Sequence, residues 1–341
     1  MVPAACPSGR DRHYARAAAI GIRGNEVERT FHSSDYREYI DMSLCDYAAF
    51  VCRFPAFNDA DIRMVRKSID DGFRSFVRDI APAIDTLVVP IQKFLNGAEM
   101  LFVNTPWMII LAAILLVVYF ASRNWAITLG SAIAFCAIGV TGLWNDMMVT
   151  FSMVTVSTIL AILIGIPIGI CMALFNSVQR VMNPILDVMQ TLPSFVYLIP
   201  VVMIFGIGKV PGLIAVVIYA VPPMIRLTNL GIRLVSEETL EAAEAYGAST
   251  WQKLRGVQLP LALPTIMAGV NQTIMMSLAM VVVASMVGVG GLGKNVLQSI
   301  NNQFFTVGIL NGLAVVAIAV VFDRASQAYG RRLQKHWEAG K

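Results

Sequence analysis

A polar stretch, EAAEAYGASTWQKLRGVQLPLALP (residues 241–264), interrupts a chain that is otherwise strongly apolar. Its alanines and glutamates favour a helix, and Gly247 permits the left-handed turn that ends one. Ser249 or Thr250 is placed to cap a second short helix, and Pro260 leads the chain into the next apolar segment. The stretch therefore predicts a compact helix–turn–helix at 236–260 that faces water beside a membrane.

Composition identifies the rest of the chain as a membrane protein. Of its 341 residues 57% are hydrophobic and 14% are charged, whereas a soluble domain usually carries about 25% charged residues. The net charge of +4, without a basic stripe interleaved with aromatics, argues against a nucleic-acid partner. The five cysteines and three histidines show no ligand spacing, so no metal site is predicted, and a Cys45–Cys52 disulfide is left open.

Seven long apolar segments predict membrane-spanning helices, because a helical span needs about 20 apolar residues. They lie at 106–122, 125–145, 147–175, 184–207, 210–231, 262–289 and 304–322. Before them, apolar residues at three-and-four spacing from Ile62 to Ile80 predict an amphipathic helix that ends at Pro82. Two placements of this helix stay open: docked on its own protein, or lying in the membrane interface.

These patterns divide the chain into five parts. Residues 1–60 form a poorly defined polar tail that lacks the apolar core of a signal peptide. Residues 61–105 form an amphipathic interfacial segment, and 106–145 form two peripheral membrane helices. Residues 146–326 form the membrane core with its polar helix pair, and 327–341 form a C-terminal tail.

Basic residues near the ends of the apolar segments predict the orientation of the chain. The short loops on one side contain only two basic residues, Lys209 and Lys294. The other side holds Arg123, Arg180, Arg226, Arg233, Lys253, Arg255, Arg324, Arg331, Arg332 and Lys335. By the positive-inside rule this second side is cytoplasmic. We therefore expect the polar helix pair and the C-terminus in the cytoplasm and the N-terminal tail outside.

Two patterns suggest other functions, but their context argues against them. GVGGLGKN (288–295) nearly matches a phosphate loop, yet Asn295 replaces the required Ser or Thr and an apolar segment precedes it in place of a strand. We interpret it as a glycine-rich helix exit that lets backbones pack closely. Ionisable residues such as Asp187 and Arg226 lie near span ends, where snorkelling explains them, and no acid lies clearly at a span centre. This argues against an ion-coupled carrier.

The spelling of the polar stretch is more specific than its shape. It reads Glu-Ala-Ala, three residues, Gly, nine residues, then Val-Gln-Leu-Pro. It thus resembles the E-A-A-x3-G-x9-I-x-L-P signature of ABC-importer permeases, with Val257 in place of Ile. MQTLPSFVYLIPVVMIFGIGKVPG, VPPMIRLTNLGI, VQLPLALPTIMAGVNQT and MVVVASMVGVGGLG look like the permease subunits of glycine betaine/proline betaine/choline importers. This likeness covers about residues 70–330, includes IQKFLNG, and leaves residues 1–60 unmatched.

The resemblance implies an all-α polytopic protein of a bacterial inner membrane, with the transmembrane fold of ABC type I importers. That fold would comprise about seven membrane helices and the N-terminal amphipathic helix. The implied partners are a second copy of the chain, a cytoplasmic ABC ATPase and an extracytoplasmic substrate-binding protein. ATP and Mg²⁺ would bind the ATPase, so this chain would hold no cofactor and would not be an enzyme.

The resemblance also implies which residues couple the chain to the ATPase: Glu241, Ala242, Ala243, Gly247, Leu259 and Pro260. The glutamate would supply a polar contact and the alanines a close approach. Gly247 would supply the bend, and Leu259 and Pro260 would set the return angle of the next membrane helix.

Aromatic residues predict the substrate path, because a trimethylammonium group is best held by aromatic faces. Phe195 and Tyr197 lie on a proline-interrupted span, and Tyr219 precedes a pair of prolines. Packing of these rings against neighbouring helices is the alternative for each of them. Two other functions also stay open: an ABC permease for another small solute such as an amino acid, and an ion-coupled carrier.

Overall fold

The computed structural model describes residues 59–338, and within that range the chain forms helices and no strands. The chain divides into two compact units, and the boundary between them falls after Ser75, inside the first described helix. Of the tail predicted at 1–60, residues 1–58 lie outside the described residues, as does the Cys45–Cys52 pair, and Asp59 and Ala60 begin the first described helix.

The helices are numbered here in chain order. They are α1 Asp59–Val103, α2 Trp107–Ser122, α3 Trp125–Val140, α4 Trp144–Leu174, α5 Asn176–Thr191, α6 Ser194–Phe205, α7 Lys209–Arg233, α8 Glu237–Ala245, α9 Thr250–Lys253, α10 Leu259–Ala284, α11 Leu292–Asn302 and α12 Phe305–Glu338. A π-helical turn, Leu254–Gln258, joins α9 to α10, and a 3-10 turn, Ser285–Val287, follows α10.

Several of these helices have the length and apolar character of membrane spans. Four continuous stretches qualify: Trp144–Leu174, Lys209–Arg233, Thr250–Val287 and Phe305–Gly330. The number rises to six if two bent pairs each count as one span: Val88–Val103 with α2, bent by 100°, and α5 with α6, bent by 101°. The remaining predicted segment is the shorter apolar helix α3. The predicted all-α polytopic membrane fold is confirmed.

The segment at 184–207, predicted as one span, is broken in the structure. Its first half belongs to α5, which begins at Asn176, and its second half is α6. The break falls at Leu192, which has extended backbone angles (φ −66°, ψ 131°) and precedes Pro193. The proline ring disfavours a helical conformation for the residue before it. The apolar run continues across this break, so hydropathy alone joined two helices that meet at an elbow.

The helix predicted to end at Pro82 instead continues to Val103. Pro82 and Pro90 both lie inside α1. A proline removes one backbone hydrogen bond and distorts the turn before it, but helical residues on both sides can continue the helix. The hydroxyl of Thr86, between the two prolines, adds a hydrogen bond to the Pro82 carbonyl at 3.0 Å.

Helix α7 lies at the centre of the larger unit and packs against α4 on one side and α10 on the other. Small residues permit this close packing. A Cβ on Gly165 of α4 would lie 2.7 Å from the Met224 Cβ. On the α10 side, a Cβ on Gly231 would lie 3.0 Å from the Thr265 Cβ. The three helices therefore form one tightly packed block.

The glycine-rich segment at 288–295 packs closely against other parts of the chain, as predicted. Gly288 and Gly291 have positive φ angles of 97° and 83°. The Leu292 N–H donates to the Thr150 hydroxyl at 2.9 Å, and the Asn295 amide donates to the Asp146 carboxylate at 2.6 Å. The segment follows a helix, where a phosphate loop follows a strand.

Candidate functional site

The polar stretch forms the predicted helix–turn–helix. Helix α8 starts after Ser236 and ends before Gly247, whose φ of +80° is the left-handed conformation that favours glycine. Past the end of the helix, the Gly247 N–H donates to the Glu244 carbonyl at 2.8 Å, and the Ala248 N–H donates to the Ala243 carbonyl at 3.1 Å. These two bonds satisfy the last carbonyls of the helix and fix the bend.

The second helix, α9, is short but well capped. The Ser249 hydroxyl accepts from the Gln252 N–H at 3.4 Å, and the Gln252 side chain accepts from the Ser249 N–H at 2.8 Å. This reciprocal pair is a capping box. Lys253 forms an ion pair with Glu244 across the bend. The two helices are therefore tied together as one element.

The inner side of this helix pair is anchored in the membrane core. Leu254, in the π-helical turn after α9, is 1% exposed. It packs in a cluster with Ile232 of α7 and with Ala262 and Ile266 of α10. The chain then enters α10 at Leu259 directly from the π-helical turn, and Pro260 lies in the first turn of α10. Sequence reasoning missed Leu254, because its burial depends on residues that are distant in the chain.

The outer side of the pair is open. Glu241, Ala242 and Gly247 are exposed and Ala243 is half-buried, and a Cβ added at Gly247 would meet nothing within 4 Å. Two large aromatics flank the bend, with Tyr246 91% and Trp251 65% exposed. Exposed aromatic side chains beside small residues are typical of protein contact surfaces. Sequence reasoning gave these two aromatics no role in the site, although their position in a polar stretch was a signal.

The structure brings two of the three predicted path aromatics together. Tyr197 of α6 and Tyr219 of α7 have ring centroids 5.9 Å apart at an interplanar angle of 74°. The Tyr197 hydroxyl donates to the Met189 carbonyl of α5, and the Tyr197 side chain is 8% exposed. Phe195 is 54% exposed and belongs to none of the aromatic pairs found among residues 59–338. The tyrosines thus join the α5–α6 elbow to α7, while Phe195 faces outward.

Comparison with known proteins gives the family. The profile of the family described as "Binding-protein-dependent transport system inner membrane component" matches residues 161–335, which include α7, the helix pair and α10. The chain belongs to this family. The permease is 42% identical over 268 residues to the glycine betaine/proline betaine transport system permease protein ProW of Escherichia coli (strain K12). That match covers 77% of this chain and 74% of the relative.

Two relatives from other bacteria show similar levels of identity. Identity is 46% over 210 residues with the glycine betaine/carnitine transport permease protein GbuB of Listeria monocytogenes serotype 1/2a (strain 10403S), covering 62% of this permease and 74% of the relative. Identity is also 46% over 220 residues with the glycine betaine transport system permease protein OpuAB of Bacillus subtilis (strain 168). That match covers 63% of this permease and 78% of the relative.

The MetNI methionine ABC transporter in an inward-facing conformation matches the fold with a TM-score of 0.51 and 23% identity. The match covers 57% of this permease and 96% of the MetNI chain. The predicted family and the type I importer fold are confirmed, and the permease is a transport subunit and not an enzyme.

Proposed function

We propose that this permease is the membrane subunit of an ATP-driven importer for a quaternary amine: glycine betaine, proline betaine or choline. The named substrates of the relatives support the substrate class, because ProW and OpuAB are permeases for glycine betaine and ProW also for proline betaine. A choline permease, OpuBB of Bacillus subtilis (strain 168), is 32% identical over 185 residues. In this proposal the C-terminus and the helix pair α8–α9 are cytoplasmic, as the basic residues near the span ends predict.

One observation carries the coupling role: the helix pair is open on its outer side and anchored on its inner side. A cytoplasmic ATPase, which binds ATP and Mg²⁺, docks on Glu241, Ala242, Ala243 and Gly247. Closure of the ATPases displaces the helix pair, and Leu254 passes this displacement to α7 and α10. Leu259 and Pro260 fix the direction in which α10 leaves the pair. Alternating access then follows from movement of packed helices as rigid bodies.

A second copy of the permease completes the path in this proposal. Two copies related by a twofold axis would present two identical helix pairs to two ATPases on the same side of the membrane. An extracytoplasmic binding protein would deliver the substrate at the opposite side. Tyr197 and Tyr219 would offer aromatic faces to the trimethylammonium group through cation–π attraction, and the exposed ring of Phe195 would offer a third.

Transport by the purified complex tests this function. The permease, its ATPase and its binding protein are reconstituted in liposomes, and uptake of labelled glycine betaine, proline betaine and choline is measured with and without ATP. We expect uptake to require both ATP and the binding protein. We also expect each of the three amines to inhibit the uptake of the other two. Uptake that runs on an ion gradient without the ATPase would show a carrier, and ATP-driven uptake of an amino acid alone would show a different substrate class.

A further inference from the structure

Helix α5 is an unusual member of the membrane core. Its sequence, NSVQRVMNPILDVMQT, is amphipathic, and Leu186 is its one fully buried residue. It runs from the end of α4 to the elbow at Pro193, beyond which α6 carries Tyr197. Val178, Met182 and Met189 of α5 are partly buried against the same cluster as Leu186, between α4 and α7. Polar contacts at the two ends of the helix add to this packing.

The first polar contact is made by Arg233, the last residue of α7. One guanidinium nitrogen, Nη2, donates to the Asn176 side chain at 2.7 Å and to the Met172 carbonyl at 2.9 Å, while Nε donates to the Asn229 side chain at 3.1 Å. Asn176 begins α5, and the Met172 carbonyl lies in the last turn of α4, where carbonyls lack intrahelical donors. A cation is also favoured at a helix C-terminus. Arg233 thus ties the α4–α5 junction to α7.

The second polar contact is made by Arg226, about two helical turns before Arg233 and so on the same face of α7. Arg226 forms an ion pair with Asp187, which lies near the C-terminal end of α5. The two arginines therefore hold α5 at both ends. We call these contacts, Arg226–Asp187 and Arg233–Asn176, the arginine brace.

The arginine brace lies between the two parts of the candidate functional site. Arg233 stands shortly before Glu237, the first residue of the proposed coupling helix α8. Beyond the other end of α5, the Tyr197 hydroxyl binds the Met189 carbonyl, and Tyr197 contacts Tyr219. The contacts therefore form a continuous connection from the end of α7, next to α8, through α5 to the elbow that carries Tyr197.

We propose that the arginine brace makes α5 follow α7, so that movement of the coupling helix opens or closes the aromatic elbow. Arg226 and Arg233 are positioning residues in this proposal, acting through α5 on the path. The inference rests on the proposed function, since it assumes that α8 is moved by an ATPase. It assigns α5, a polar helix with little buried surface, the task of carrying that movement to the substrate path.

The brace is tested by comparing ATP hydrolysis with transport in the reconstituted complex. Arg233→Met and Arg226→Met are measured beside wild type for ATPase activity and for uptake of labelled glycine betaine. We expect both variants to assemble with the ATPase and to keep its activity, while uptake falls about tenfold, within the range found when a coupling contact is lost. The number of ATP molecules hydrolysed per solute therefore rises about tenfold, which a purely structural role would not produce.

Rescue and control variants make the outcome decisive. Asp187→Arg combined with Arg226→Asp restores the ion pair in the opposite direction and is expected to recover the ratio of hydrolysis to uptake. Arg180→Met removes an exposed arginine of α5 outside the brace and is expected to leave the ratio unchanged. If Arg233→Met fails to assemble, Asn176→Ala removes the same contact from the other side.

Each result identifies which proposal fails. If wild type transports and Arg226→Met and Arg233→Met have its ratio of ATP hydrolysis to uptake, the role of the arginine brace is overturned. The proposed function is then still supported. An exchanged pair that assembles but does not recover the ratio would also overturn it. A wild-type complex without ATP-driven uptake would overturn the proposed function itself, and the brace with it.

Discussion

Gly169 of α4 packs directly on Thr228 of α7. A Cβ on Gly169 would lie 2.6 Å from the Thr228 Cβ and 2.8 Å from the Ile225 carbonyl oxygen, neither of which can rotate away. This contact lies between the C-terminal part of α4 and the part of α7 that leads to α8. The close approach of α4 and α7 therefore depends on the absence of one side chain.

Replacing this glycine should loosen the block of α4, α7 and α10. We expect Gly169→Ala to lower the free energy of unfolding by about 1–3 kcal/mol, because an overpacked core must shift its backbone or its side chains. Thermal unfolding of the purified permease in detergent measures the change. The matched control is Gly130→Ala in α3, where a Cβ would meet nothing within 4 Å. Equal stability of the two variants would contradict the packing argument.

The bend at Gly247 offers a test that separates strain from steric clash. A Cβ fits there without contact, but the φ of +80° costs a residue with a side chain about 1–2 kcal/mol. We expect Gly247→Ala to lower the free energy of unfolding by about this amount and to weaken co-purification of the ATPase, although its side chain meets no other atom. Asparagine tolerates this conformation better than alanine, so Gly247→Asn should bind the ATPase more strongly than Gly247→Ala. The reverse order would show that the conformation of the bend is unimportant.

The network around Asn295 should contribute to stability and not to nucleotide binding. The Asn295 amide donates to Asp146 at 2.6 Å and to the buried side chain of Asn311 at 3.1 Å. Asn295→Leu leaves both acceptors without this donor, and we expect a loss of about 1–3 kcal/mol in thermal unfolding. Asn295→Asp should be less stable still, since it places two carboxylates together. Lys294→Gln changes an exposed neighbouring residue and serves as the control. A loss of stability in this control as large as that of Asn295→Leu would contradict the account.

Substitutions at Tyr197 separate its hydroxyl from its ring. Tyr197→Phe keeps the contact with Tyr219 and removes the hydrogen bond to Met189, so stability should fall by about 1 kcal/mol while the apparent affinity for glycine betaine persists. Tyr197→Leu also removes the aromatic face, and we expect the KM for uptake to rise severalfold if a cation–π contact is lost. Phe195→Leu tests the exposed ring in the same assay. Unchanged KM values in all three would exclude these residues from the substrate path.

Local features of the site followed from sequence because they depend on neighbouring residues. The bend at Gly247 and the cap of α9 each involve residues within one turn, so residue type predicted the bend and a cap at Ser249 or Thr250, of which the structure shows Ser249. The break at Pro193 was missed because the apolar run continues across it, although the proline itself was visible. The end predicted at Pro82 was wrong because a proline weakens a helix without always ending it.

Contacts between distant segments could not be predicted in the same way. Leu254 is one leucine among many in the sequence, and its role as an anchor appears only when α7 and α10 surround it. Arg226 and Arg233 were read as charges at span ends, whereas the structure shows that both bind partners on or beside α5. The pairing of Tyr197 with Tyr219 likewise requires the elbow that sequence hydropathy did not reveal.

The central claim is that the helix pair α8–α9 couples an ATPase to transport. Its most direct test is ATP-dependent uptake of labelled glycine betaine and choline by the reconstituted complex, with wild type beside Glu241→Lys and Gly247→Asp. We predict that both variants fold and form the same oligomer as wild type but lose uptake. Unimpaired uptake in both would show that residues 241–264 form only a loop, and the coupling mechanism would be wrong.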